Sequence, residues 1–128
     1  MFHYFLLTYS VDNIGHQSDE RIANAVRDAI ASLTLEDVKG TNDTIDFAVD
    51  GWDKLKNVET AIAGQIYFSG DNAETDQSKK DFAKKIIRTL FRNILRSKNA
   101  TSITTTIQCA MLIGGADETF TFKITPAD

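Results

Sequence analysis

The stretch Phe2–Val11 constrains the fold more than any other part of the chain. Both of its faces are apolar or aromatic, with His3, Phe5, Leu7, Tyr9 and Val11 on one and Phe2, Tyr4 and Leu6 on the other. A strand that is apolar on both sides is typical of the middle of a sheet. The sequence therefore predicts that the chain begins with a central strand and that later elements are arranged around it.

Six further elements follow from periodicity and turn residues. Helices are predicted over Asp19–Leu33 and Ser78–Ser97, and strands over Asp43–Asp50, Val58–Ser69, Ser102–Ile113 and Glu118–Thr125. In the first of these strands Ile45, Phe47 and Val49 are expected to share a buried face. The order β-α-β-β-α-β-β contains the ferredoxin-like β-α-β-β-α-β arrangement. We therefore expect an α+β fold with two helices on one face of an antiparallel sheet, and an added C-terminal strand that extends one edge.

Composition is that of one globular domain. The chain has 128 residues, of which 42% are hydrophobic and 25% charged, so we expect a single α+β domain over residues 1–128. No apolar run reaches the ~18 residues that span a bilayer, and the apolar start lacks the basic segment of a signal peptide. Cys109 is the only cysteine, which excludes an internal disulfide. We expect a cytoplasmic protein with no membrane partner and no cofactor.

Positive charge is concentrated in one segment. The net charge is −9 over residues 1–78, +7 over residues 79–98 and −2 over residues 99–128. Five basic residues of the second predicted helix follow each other at a spacing of four: Lys80, Lys84, Arg88, Arg92 and Arg96. This stripe is an anion-binding or partner-binding candidate, for a phosphate backbone or an acidic protein surface. The alternative is a solvated helix face that the acidic first half of the chain neutralises.

Acidic residues gather between the two predicted helices. Those on and after the strand 43–50 form a candidate partner-binding surface with the only tryptophan: Asp46, Asp50, Trp52, Asp53 and Glu59. A divalent-metal site would need oxygen ligands at a recognised spacing, which this segment lacks. The remaining alternative is that the acids keep an edge hairpin soluble. Trp52 is either an interface anchor or the lid of a small core.

The first strand also supports a resemblance. The run Tyr4-Phe5-Leu6-Leu7-Thr8-Tyr9-Ser10-Val11-Asp12, followed by a helix, resembles the start of the Cas2-like nuclease family. In that family an aspartate at the end of the first strand binds a metal at a dimer interface. The resemblance covers this strand and helix only, and it implies that Asp12 is a metal ligand of a nuclease. The alternative is an aspartate that ends the strand and caps a turn.

Motifs for other chemistry do not occur in the chain. There is no glycine-rich phosphate-binding pattern, His3 lies on a strand, and Cys109 alternates with apolar residues as a buried side chain does. We therefore expect a non-enzymatic protein-binding domain, most simply a small acidic inhibitor or an immunity/antitoxin-like protein that occludes a partner protein. A Cas2-like nuclease and a nucleic-acid-binding module are the alternatives. The sheet face that carries Phe2, Tyr4 and Leu6 is expected to lack a cover, which predicts a homodimer.

Overall fold

The computed structural model describes residues 1–126, in which five strands and four helices follow one another. In chain order they are β1 (Phe2–Asn13), α1 (Glu20–Ala31), α2 (Leu35–Lys39), α3 (Asp43–Ala48), β2 (Val49–Lys54), β3 (Ala61–Tyr67), α4 (Asp76–Ser97), β4 (Thr105–Ile113) and β5 (Phe120–Ile124). Single turns of 3-10 helix at Gln17–Asp19 and Gly70–Ala73 precede α1 and α4.

The strands form one sheet in the order β2-β3-β1-β4-β5, and every neighbouring pair is antiparallel. The prediction that the first strand is central is confirmed, since β1 pairs with β3 on one side and with β4 on the other. Leu7, in the middle of β1, lies opposite Ile62 and Met111. The chain is therefore an α+β fold with helices packed on a five-stranded antiparallel sheet.

The core lies on one face of the sheet. Alternate β1 residues from Phe5 to Val11 are buried there, as predicted, and they meet the apolar sides of α1 and α4. Val26 and Ile30 of α1 and Ile87 and Phe91 of α4 are among the least exposed residues. Each such side chain contributes about 1.5–3 kcal/mol by burial, so this face accounts for most of the packing that stabilises the fold.

The predicted strand over Asp43–Asp50 is wrong. Residues 43–48 form α3, because the side chain of Asn42 caps this helix by accepting a hydrogen bond from the backbone N–H of Ile45 at 2.8 Å. Phe47 consequently points outward and is 69% exposed, although Ile45 and Val49 are buried. The strand β2 begins only at Val49 and ends at Lys54, so most of it lies between the two predicted strands Asp43–Asp50 and Val58–Ser69.

The remaining boundaries differ at element ends. Helix α4 begins two residues before the predicted start because Thr75 caps it, and β4 begins at Thr105 rather than Ser102. Thr101–Thr104 forms a turn instead, in which the N–H of Thr104 donates to the carbonyl of Thr101 at 3.0 Å. Ile103 therefore lies 76% exposed in this turn and not on the buried face of the strand. Val58, the first residue of the predicted strand Val58–Ser69, is exposed in the loop before β3, which begins at Ala61.

Gly64 marks a close approach of three strands, as its position within a strand indicates. It lies opposite Trp52 of β2 and Phe5 of β1. A Cβ atom at this position would overlap the carbonyl oxygen of Gly51 and lie 2.7 Å from the Phe5 ring. Glycine is thus required where β2 packs onto the rest of the sheet.

Candidate functional site

The predicted basic stripe lies along β5. Lys84 Nζ is 5.6 Å from the centroid of the Phe120 ring, and the guanidinium carbon of Arg88 is 5.6 Å from that of Phe122. These are cation–π contacts, in which the negative face of the ring attracts the charge. The stripe therefore packs against the edge strand of the sheet.

The two ends of the stripe make polar contacts with the segments that flank β5. Arg92 Nε donates to the carbonyl of Thr125 at 3.1 Å, and Arg96 Nε donates to the carbonyl of Pro126 at 3.1 Å. At the other end Lys80 Nζ donates to a carboxylate oxygen of Asp117 at 3.3 Å. This hydrogen bond from Lys80 lowers the pKa of Asp117.

Helix and strand geometry explain this regular contact. Four residues of α-helix rise about 6 Å, and two residues of strand rise about 6.6 Å. The stripe therefore follows β5 along its length: Lys80 and Lys84 lie over Phe120, Arg88 over Phe122, and Arg92 and Arg96 reach Thr125 and Pro126. The hypothesis that the first half of the chain neutralises the stripe is wrong for Lys80, whose carboxylate partner is Asp117. Within residues 1–126, no carboxylate lies at ion-pair distance from the other four stripe residues.

The residues of the predicted acidic surface, except for its tryptophan, are distributed along and beside β2, at the opposite edge of the sheet. Asp50 and Asp53 are exposed on β2, Asp46 is exposed on α3, and Glu59 is exposed in the loop before β3. The prediction that Asp46 and Asp50 lie on one strand is wrong, because α3 ends between them. Asp46 has a cationic neighbour, Lys39, with Nζ 3.6 Å from its carboxylate.

Trp52 is a core residue. It is 6% exposed, and its ring lies 6.0 Å from that of Phe5 and 6.5 Å from that of Phe91. The sequence left two alternatives for Trp52, an interface anchor and a residue of the core, and its burial supports the second. Trp52 is therefore corrected from a partner-binding residue to one that joins β2 to β1 and α4.

Asp12 lies near the end of β1 and opposite Thr106 of β4. One of its carboxylate oxygens accepts a hydrogen bond from the hydroxyl of Ser10 at 2.9 Å. Within residues 1–126, no three histidine, cysteine, aspartate or glutamate side chains converge into a group that could hold a metal ion. The nuclease hypothesis therefore rests on Asp12 alone.

The sheet face opposite the core is open, as the sequence predicts. Phe2, Tyr4 and Leu6 of β1 are 49%, 73% and 41% exposed, and Leu112 of β4 lies beside Leu6 at 42% exposure. Phe2 packs against Tyr67 of β3 with the ring centroids 5.0 Å apart. The exposed end of the sheet is thus aromatic and aliphatic, and its neighbouring positions Ala63, Gln65 and Ala110 are uncharged.

Phe47 extends this open face and was not expected there. Its ring contacts that of Tyr67 with centroids 5.3 Å apart, at the base of the acidic edge. We call the set Phe2, Tyr4, Leu6, Phe47, Tyr67 and Leu112 the apolar patch. The cap at Asn42 was the sequence signal that could have placed Phe47 on a helix and so in this patch.

Cys109 is a free cysteine that is buried in the core. Burial raises the pKa of the Cys109 thiol to about 12, which suits an inert core side chain, as the sequence predicts.

A cavity of about 380 Å³ between β1 and α1 is lined in part by Tyr9, Arg27 and Glu59. Arg27 is held there by Glu20 at 2.9 Å and by the carbonyl of Val11 at 2.7 Å.

Comparison of the chain with protein-family models, curated proteins and solved structures finds no match. Within residues 1–126, no helix combines the length and the apolar character that crossing a membrane requires.

Proposed function

We propose that this chain is a non-enzymatic protein-binding domain, a small acidic inhibitor or immunity/antitoxin-like protein that occludes a partner protein. The apolar patch on the open sheet face carries this proposal. Large exposed aromatic and aliphatic side chains that lie together, rather than singly, are typical of a protein-binding surface. Here four of them, Phe2, Tyr4, Leu6 and Leu112, lie on two neighbouring strands.

The dimensions of the open face suit a protein partner. Five strands span about 24 Å, and eight residues of strand span about 26 Å, which corresponds to a face of about 600 Å² in projection. A stable interface buries about 800 Å² of accessible surface on each partner. The open face with the neighbouring acidic edge is therefore large enough to hold one partner protein.

The acidic edge supplies the polar rim of this interface. Asp50, Asp53 and Glu59 are exposed and have no ion pair within residues 1–126. Uncompensated charges beside an apolar centre increase the rate of encounter with an oppositely charged partner. The proposed partner is therefore a protein with a basic rim around an apolar patch.

Two finer assignments accompany this proposal. We infer a ferredoxin-like connectivity, supported by the order β2-β3-β1-β4 and by the long helices α1 and α4 that precede β2 and β4. We also place the domain in the cytoplasm, where reducing conditions suit a chain whose cysteine is a buried free thiol.

A site-specific photo-crosslink tests the proposed surface. A benzophenone amino acid replaces Tyr4 in the full chain, and a second protein carries it at Asn93, which is exposed on α4. In extract from the source cells, treated with nuclease, we expect one protein adduct from position 4 and none from position 93. Leu6→Ser is expected to reduce the yield from position 4 about tenfold, because it removes an anchor at the centre of the patch.

The identity of the adduct decides between the functions. A different protein that loses its activity when the domain is added in equal amount supports the inhibitor function. An adduct of the chain with itself alone would replace this function with self-association. Adducts that form only in a parallel extract without nuclease treatment would move the activity to a nucleic-acid interface.

A further inference from the structure

We propose that the outer edge of β5 binds an extended acidic peptide, which adds to the sheet as a strand beyond β5. The peptide carries carboxylates at alternate residues, and these face the basic stripe of α4. This surface is separate from the apolar patch, so the inference does not depend on the proposed function.

The backbone of β5 provides the first argument. β5 is the last strand of the sheet, so within residues 1–126 its outer edge has no strand partner. Its pairing with β4 is regular from Phe120 to Ile124. The other edge strand, β2, has an irregular register between Val49 and Gly51, and such irregularity hinders further pairing. Of the two edges, β5 is therefore the better template for an added strand.

The charges beside this edge provide the second argument. Lys84, Arg88 and Arg92 contact aromatic rings or a carbonyl and have no carboxylate partner within residues 1–126. They follow β5 at intervals of about 6 Å, close to the roughly 6.6 Å between alternate side chains of a strand. Alternate carboxylates on an added strand would therefore each meet a cation of the stripe.

The same contacts favour a peptide over a single-stranded nucleic acid. Nucleic-acid strands bind through bases stacked on exposed aromatic rings as well as through phosphates. Here Phe122 is 7% exposed, and both rings next to the stripe already face its cations. An edge strand offers backbone hydrogen bonds instead, which only a peptide can match along its length.

Binding of model peptides to the full chain tests the proposal. The probe is a labelled octapeptide of alternating threonine and glutamate with blocked ends, and its matched control has glutamine at each glutamate. Fluorescence anisotropy at low salt should give a Kd about tenfold lower for the glutamate peptide. The double variant Lys84→Gln with Arg88→Gln should abolish this difference, whereas Arg21→Gln on α1 should leave it unchanged.

Two peptides with methylated backbone nitrogens test the strand itself. One is methylated at every threonine and the other at every glutamate, and since alternate N–H groups point to opposite edges, only one set faces β5. We expect one of them to lose binding and the other to keep it, and amide exchange of residues 120–124 to slow with the peptide that binds. Equal binding of both would overturn strand addition.

Two controls show whether a loss of peptide binding reflects lost charge or a disturbed fold. The variant Lys84→Arg with Arg88→Lys keeps both charges and should keep the preference for glutamate, so loss of this preference in the double glutamine variant reports the loss of charge. Trp52 fluorescence reports whether each variant is folded, because this residue lies in the core. Tighter binding of oligothymidylate than of the glutamate peptide, lost in the double variant, would overturn the proposal in favour of a phosphate-binding stripe.

Discussion

The two edges of the sheet carry opposite charge but use it differently. At the β5 edge the basic side chains are partly buried and contact Phe120, Phe122 and the carbonyl of Thr125. At the β2 edge Asp50 and Asp53 are exposed, and within residues 1–126 neither forms an ion pair. A run of charge in a sequence can therefore be part of the packing or part of the surface.

This difference has a physical origin. Long side chains such as lysine and arginine have apolar stems that can cover a strand while their charged ends remain hydrated. Aspartate has a single methylene, so on a strand its carboxylate can only project from the surface. The basic edge is thus expected to contribute to stability as well as to the proposed peptide binding, and the acidic edge to recognition alone.

The largest effect is expected where the acidic edge joins the sheet. Gly64→Ala places a methyl group against the carbonyl oxygen of Gly51 and the ring of Phe5, so β2 must shift away from β3. We expect the free energy of unfolding to fall by about 3 kcal/mol. Urea unfolding followed by Trp52 fluorescence measures it.

Gly114→Ala is the matched control. Its nearest atom, the carbonyl oxygen of Tyr4, would lie 3.4 Å from the new Cβ, which is ordinary contact. This variant should unfold within about 0.5 kcal/mol of the wild type. A Gly64→Ala protein as stable as this control would contradict the close packing of β2 on β3.

The next largest effect is a difference in the free energy of unfolding between a variant of the β5 edge and a variant of the β2 edge. Arg88→Ala removes the cation–π contact with Phe122 and uncovers part of β5, which we expect to cost about 1 kcal/mol. Asp53→Ala removes an exposed charge without a partner and should change stability by less than about 0.5 kcal/mol. Equal losses in the two variants, measured by urea unfolding, would show that the edges do not differ as described.

The smallest effect concerns the ion pair between Lys80 and Asp117. Because the pKa of Asp117 is lowered, this pair stabilises the fold at neutral pH and loses its effect as pH falls below the ordinary aspartate value of about 3.9. The Asp117 carboxylate is exposed to solvent, so dissolved salt screens the pair, and Asp117→Asn should lower the melting temperature only slightly and only at low salt. An equal difference at pH 2, or in high salt, would contradict an electrostatic origin.

Periodicity was sufficient to predict the central strand and the long helices. Phe5, Leu7 and Tyr9 alternate with Tyr4 and Leu6 over a long run, so both the strand and its two faces could be predicted. The open face followed, because aromatic residues on one side had no predicted cover. These are patterns in which many residues agree.

Short segments and long-range contacts could not be predicted in the same way. Ile45, Phe47 and Val49 alternate as in a strand, but the cap at Asn42 makes residues 43–48 helical, and over six residues one hydrogen bond outweighs the pattern. The stripe was visible as a spacing of four, whereas its contact with Phe120 and Phe122 depends on β5 lying beside α4. Periodicity within one helix contains no information about that neighbour.

The spacing of the basic residues along α4, about 6 Å, is close to the spacing of alternate residues along β5, about 6.6 Å, but is slightly shorter. Each repeat leaves a mismatch of about 0.6 Å, which grows to about 2 Å over the three steps from Lys84 to Arg96. Lys84 and Arg88 contact ring faces within the strand, whereas Arg92 and Arg96 donate to carbonyl oxygens beyond its last residue. This mismatch stays below half of the spacing between alternate strand residues, so one unbroken helix can cover the whole of β5 with a single repeat of side chains.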